Sequence, residues 1–213
     1  MVLSVANPKG GVGKTTIAVN LAYAMLLDYK DVMILDLDLQ RSASLWAKLR
    51  EQNLIIPIPV LTTNNVKEIS GLCNLYKGNS GLLVVDCAGL DSDYNREVLS
   101  MSDVVVIPVR PSQIEVFGLN RFMSVLNTIK KTGHVLINCA YTTSVKKIEN
   151  LFEFVDNING LKQLKTVIRY RVDYQDSYAS GKSVIEHNKG SQAAKEMHKL
   201  RHELREVLKE ATK

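Results

Sequence analysis

Residues Lys9-Gly10-Gly11-Val12-Gly13-Lys14-Thr15-Thr16 bring glycines, lysines and hydroxyls together in one short segment. The glycines permit a tight turn and let the backbone approach a ligand that a Cβ would hold off. Successive N–H groups in such a turn converge into an anion site. The free N–H groups that open a following helix add positive partial charge. The chemistry this predicts is a cradle for a nucleoside triphosphate. Lys14 reaches the β- and γ-phosphates, and the Thr15 hydroxyl holds Mg2+. Thr16 either touches the α-phosphate or caps the helix. The common pattern G-x-x-x-x-G-K-[ST] is not met in full, because Pro8 stands at its first glycine. A second lysine, Lys9, stands five residues before Lys14 instead.

Two aspartate segments complement the loop. Asp36-Leu37-Asp38-Leu39-Gln40 sets two carboxylates two residues apart. One can help hold a hydrated Mg2+ and the other can orient an attacking water. Phosphoryl transfer needs positioning and charge stabilisation more than covalent chemistry. Leu82-Leu83-Val84-Val85-Asp86 is an apolar run ending in a carboxylate that would hold Mg2+ through a water. The metal set is therefore Thr15, Asp36 and Asp86.

These residues need a frame that brings them to one edge. Strand-like runs fall at Val2–Asn7, Val32–Asp36, Pro57–Leu61, Leu82–Asp86, Val104–Pro108, Val135–Asn138 and Thr166–Ile168. Helical patterns fall at 15–27, 42–51, 65–76, 92–101, 115–130, 145–158 and 191–210. Several strands are continuous Val/Ile/Leu runs, which implies burial on both faces. The alternation predicts an α/β fold, a doubly wound, mainly parallel sheet flanked by helices, with ligands at the carboxyl ends of the strands. The expectation is one domain over residues 1–213.

Composition narrows the classes. Hydrophobic content of 46% and charged content of 23% are those of an ordinary globular protein. No apolar run reaches the roughly eighteen residues of a membrane span, and the N-terminus reads as a strand, not a signal peptide. Cys73, Cys87 and Cys139 lack C-x-x-C spacing, which argues against a disulfide frame and suits a reducing cytosol. Residues 1–160 hold 15 basic and 15 acidic residues, whereas residues 161–213 hold 12 and 7. The whole net charge of +5 therefore sits in the last quarter, which suggests an anionic partner there.

The K-G-G-x-G-K-T-T loop near the start of a short chain resembles that of the ParA/MinD group of deviant Walker A P-loop ATPases. In that group the extra lysine crosses a nucleotide-sandwich dimer and touches the partner's triphosphate, a role that maps to Lys9. The resemblance implies Lys9, Lys14 and Asp38 as the catalytic residues. Asp36–Gln40 is similar to the family's D-x-D-P-Q switch, whose second aspartate positions the water and maps to Asp38. Leu39 replaces the usual proline, so the switch reads as less rigid. Cys87-Ala88-Gly89 resembles the second switch, where a glycine (here Gly89) senses hydrolysis, beside Asp38 and Gln40 of the first. Met101–Ser112 is similar to a family strand ending in proline, followed by a loop that abuts the nucleotide or the dimer partner. Asn138 corresponds to an asparagine that faces adenine in relatives, although a strand-end asparagine also caps turns.

Thr166–Gly190 resembles the family's I-P-R-x-V…G-K-P-V segment, with Arg169 and Ser183 replacing the prolines. Basic residues there and in the last helix hold DNA in relatives without reading sequence. The candidates are Arg169, Arg171, Lys182, Lys189, Lys195, Lys199, Arg201 and Arg205. Such phosphate contacts are salt-sensitive and indifferent to sequence. Met197, Leu200, Leu204, Val207 and Leu208 form a helical stripe that packs on a sheet more naturally than on a membrane, since no aromatic residue follows Tyr178.

The resemblance spans nearly the whole chain. It implies a small ParA-type partition ATPase without an N-terminal DNA-reading domain, using ATP and Mg2+. Its expected partners are a second copy on ATP binding, nonspecific DNA, and a centromere-binding protein of ParB-like or ribbon-helix-helix type. Growth into a higher polymer is left open. The expected location is the cytoplasm, on the nucleoid. The alternative is a MinD-like membrane-associated or other cargo-positioning ATPase.

Overall fold

Apolar residues at consecutive strand positions point alternately to two faces, and both must be covered. In the computed structural model, which describes residues 1–78, 80–89 and 92–211 without the side chains of 113–117, they are covered by helices on both sides. The strands are β1 (Val2–Val5), β2 (Val32–Asp36), β3 (Val60–Leu61), β4 (Leu82–Asp86), β5 (Val104–Val109), β6 (Gly133–Ala140) and β7 (Leu161–Arg169). The helices are α1 (Lys14–Met25), α2 (Ser42–Gln52), α3 (Val66–Lys77), α4 (Asp93–Met101), α5 (Gln113–Thr128), α6 (Val145–Asp156), α7 (Asp173–Ala179), α8 (Val184–His187) and α9 (Gln192–Ala211).

One seven-stranded sheet runs β3-β2-β4-β1-β5-β6-β7, and every pairing is parallel. Alternation along the strands divides the core. Leu3, Val5, Leu82, Val84, Val104 and Val106 face α1, α2, α8 and α9. Val2, Leu83, Val85, Val105 and Ile107 face α3 to α6. α9 presents Met197, Leu200, Leu204 and Leu208 to the first layer, all fully buried, so its apolar stripe is spent inside the fold. Among the described residues no helix is long and apolar enough to cross a membrane.

Four elements depart from the sequence expectation. β3 is only Val60–Leu61, because Pro57 and Pro59 have no N–H to give a ladder. β7 begins at Leu161, well before Thr166, and exposes Lys162 and Lys165 as an edge strand does. α7 and α8 were not anticipated; at seven and four residues they are too short to show a helical period.

Candidate nucleotide site

β1 delivers the chain to the phosphate loop at the centre of the sheet. Gly11 and Gly13 adopt φ of +74° and +90°, a region that only glycine enters without strain. A Cβ on Gly13 would also strike the Asn138 side-chain amide. α1 starts at Lys14 with Gly13 as its N-cap, and among the described residues no side chain caps it and no acid occupies its first turn. Its leading N–H groups are therefore left for an anion.

Around this loop the predicted residues take distinct places. Lys14 is buried, and its Nζ donates to the Lys9 carbonyl at 3.2 Å. The Lys9 backbone N–H donates to Asn7 Oδ1 at 2.9 Å. Gly89 lies over the loop, where a Cβ would sit 3.5 Å from Lys14 Nζ. Thr15 Oγ1 donates to Asp86 Oδ2 at 2.6 Å. Asn138 is buried, and its amide donates to the Val12 carbonyl at 2.7 Å, so it braces the loop from below.

The two strand-end aspartates sit side by side, since Asp36 and Asp86 are register partners across β2 and β4. Asp86 is wholly buried, and among the described residues its Oδ1 has no hydrogen-bond partner. Burial pushes its carboxyl up to about 7, with the charges of Asp36 and Asp38 adding to the rise and Thr15 and Lys14 opposing it. An orphaned buried carboxylate oxygen beside a threonine hydroxyl at a phosphate loop fits a cation. Among the described residues there is no cluster of three or more His, Cys, Asp or Glu ligands. That donor set suits Mg2+, which is usually held by one or two carboxylates with phosphates and waters. Thr15 and Asp86 would hold it, and once bound it would neutralise phosphate charge. Asp36 is committed elsewhere: its Oδ2 accepts from the Ser44 N–H and hydroxyl at 2.9 and 2.8 Å, and its Oδ1 from the Asp38 N–H at 3.2 Å. It ties the switch loop to the start of α2. Asp38 is half-buried, and its Oδ1 accepts from the Gln40 N–H at 2.9 Å, an Asx turn that holds the loop after β2.

A cleft of about 480 Å³ opens over these groups. Gly10, Gly11, Gly13, Lys14, Thr15, Thr16, Asp38, Gln40 and Asn138 line it, so the structure brings most of the predicted set together. Other lining residues were not named by sequence reasoning: Cys139, Tyr170, Tyr174 and Gln175, and Arg110, which falls in the loop after Pro108 that was expected to abut the nucleotide or the dimer partner. Arg110 follows β5 and donates from Nη2 to the Gly11 carbonyl. Its position at a strand's carboxyl end was the available signal. Cys139 adopts φ of +52° where β6 slips register against β7, a bulge no glycine announces. Burial pushes its thiol up, and the Arg110 guanidinium draws it back down.

The DNA candidates separate into groups. Arg169 and Arg171 line the nucleotide cleft. Arg171 pairs with Glu196 at 2.7 Å, and Arg169 Nη1 donates to the Tyr141 carbonyl at 3.0 Å. Arg201 pairs with Asp28 at 2.6 Å, and Arg205 lies 3.5 Å from Asp28 and 3.2 Å from Glu206. Lys182 is half-buried, whereas Lys189, Lys195 and Lys199 are exposed.

A model of the CobQ/CobB/MinD/ParA nucleotide-binding domain matches residues 3–200. The chain belongs to that family. Maintenance of carboxysome distribution protein A of Halothiobacillus neapolitanus is 27% identical over 207 residues, 95% of each chain. A plasmid partition protein of Borrelia burgdorferi bound to AMPPNP superposes with a TM-score of 0.73 at 17% identity, covering 96% of this chain and 98% of its own. The septum site-determining protein MinD of Pyrococcus horikoshii, complexed with Mg-ADP, gives a TM-score of 0.76 at 14% identity over 99% and 98%. This ParA/MinD membership accounts for the parallel sheet and for the placing of the loop at its centre.

Proposed function

We propose that the chain is an ATP-dependent DNA-partition ATPase that closes into a sandwich dimer on ATP. The observation that carries the reading is the joined loop: Lys14 beside Gly89, and Thr15 beside an Asp86 with one oxygen unspent. Lys14 and the loop N–H groups bind the phosphates. Asp38, on the cleft wall, orients the attacking water. Lys9 of each subunit reaches the other's triphosphate, so hydrolysis is slow until a centromere-binding partner completes the arrangement. Exposed Lys189, Lys195 and Lys199 supply sequence-independent contacts to DNA phosphates. Dimer closure doubles those contacts and multiplies affinity. The protein then works in the cytoplasm, on the nucleoid.

A second reading, the positioning of a protein-bounded cargo, is favoured by the full-length similarity to the carboxysome distribution protein. Binding to random-sequence duplex DNA, with ATP–Mg2+ and with ADP over a salt series, tests the first. Tight, salt-sensitive binding with ATP alone supports it, and absence of binding in both states transfers the weight to protein cargo.

A further inference from the structure

A loop that turns its N–H groups toward an anion turns carbonyls the other way. Those carbonyls need donors of their own, and one left facing the cleft would repel a phosphate. The Lys9 carbonyl accepts from Lys14 Nζ at 3.2 Å, the Val12 carbonyl from the Asn138 amide at 2.7 Å, and the Gly13 carbonyl from the Ile17 N–H at 3.0 Å. The Gly11 carbonyl accepts from Arg110 Nη2, a side chain that comes from another strand. β5 lies beside β1, and the Asn7 amide at the entrance of the loop donates to the Pro108 carbonyl at 2.9 Å. That bond fixes the end of β5 against the loop. The Ser112 N–H then donates to the Arg110 carbonyl at 2.8 Å and holds the turn. The Arg110 side chain is exposed and lines the cleft. Besides Gly11 it reaches the Cys139 thiol, and among the described residues it meets no acid. Arg171, which also lines the cleft, is neutralised by Glu196.

We propose that Arg110 is a positioning residue for nucleotide binding: its guanidinium holds the Gly11 carbonyl out of the phosphate path and adds to the loop a charge that no acid cancels. The inference rests on the nucleotide reading above. Gly11 stands at φ of +74° and has no side chain to fix its peptide, so the orientation must be imposed from outside. A charge-assisted bond does this more firmly than a neutral one. The loop grips the phosphates before and during hydrolysis alike, so Arg110 acts on binding and not on the chemical step.

Arg110→Gln removes the charge, and Arg110→Lys keeps it. Binding of ATP and of inorganic tripolyphosphate to the wild type and both variants is measured by calorimetry, together with KM and kcat for ATP hydrolysis. Arg110→Gln is expected to bind both ligands about tenfold more weakly, the worth of one charge-assisted hydrogen bond at an exposed site. Its KM rises by a similar factor while kcat stays within about twofold, a split that a general loosening of the fold would not give. Arg110→Lys recovers most of the lost affinity, because its ammonium still carries the charge. Unchanged tripolyphosphate binding, a loss that falls on kcat with KM held, or an Arg110→Lys variant no better than Arg110→Gln overturns the inference. A wild-type chain that binds no ATP brings down the nucleotide reading and this inference together. A wild-type chain that binds ATP, with an unaffected Arg110→Gln variant, brings down the inference alone.

Discussion

In the proposed mechanism the phosphate chemistry turns on Lys14, which is buried beside the loop with its ammonium within reach of both Lys9 and Gly89. Lys14→Ala is expected to abolish ATP binding or to lower turnover by about 100-fold or more, read by calorimetry and phosphate release. Asp38→Ala leaves binding intact and traps an ATP dimer, with hydrolysis falling by at least about 100-fold; normal hydrolysis in that variant removes Asp38 from the mechanism. His134, near the start of β6, offers a test away from the site. Burial lowers its pKa, with Lys162 adding to the fall, and the Val105 backbone, Glu203 and Glu210 opposing it. A base whose folded pKa lies below its unfolded value takes its proton mainly in the unfolded chain. Stability is therefore greater above pH 6.5 and is lost as the pH falls through the window below it. His134→Gln is expected to flatten the dependence of melting temperature on pH in that window, and an unchanged slope refutes the assignment.

Among the elements, α2 and the segment from α7 to α8 form one mechanical unit. Arg50 on α2 is 1% exposed, pairs with Glu186 at 2.7 Å, donates to the carbonyls of Gly181 and Ile56, and lies 4.7 Å from the Trp46 ring. Trp46 Nε1 donates to the Lys182 carbonyl at 3.1 Å, and the Tyr178 hydroxyl to the Ser42 carbonyl at 2.8 Å. Gly181 holds φ of +66° where a Cβ would meet the Arg50 backbone. Arg50→Ala leaves Glu186 without its partner and is expected to cost about 3–5 kcal/mol in denaturant unfolding. This clip explains the limits of sequence reading. β1, β2, β4 and β5 were legible because each is a buried apolar run, and the loop because its residue types have few other uses. The clip was not legible, since Trp46, Arg50 and Gly181 are united by contacts 131 to 136 residues apart and by no local pattern. For the same reason Tyr174 stayed hidden, while Arg169 and Arg171 read simply as part of a basic stretch.

At the scale of the whole molecule, part of the excess charge of the last quarter is offset by an acid from outside it, through Arg201 with Asp28, while Arg171 is tied to Glu196 within it. On the proposed DNA-binding reading, the contacts to phosphate thus fall to exposed lysines. Replacing Lys195 and Lys199 together by Gln is expected to weaken ATP-dependent DNA binding uniformly across sequences and to lower the log–log salt slope by about 2, with unaltered ATP turnover. The sheet's outer margins carry a further consequence. β3 is two residues long, and on β7 the N–H groups of Lys165, Thr166 and Arg169 are already taken by Glu203 and Glu196 of α9. A neighbouring chain finds few free donors there to continue the ladder. If copies of this protein string together, they join through side chains on their helical surfaces, and the resulting fibre comes apart subunit by subunit instead of locking into a continuous cross-strand ribbon.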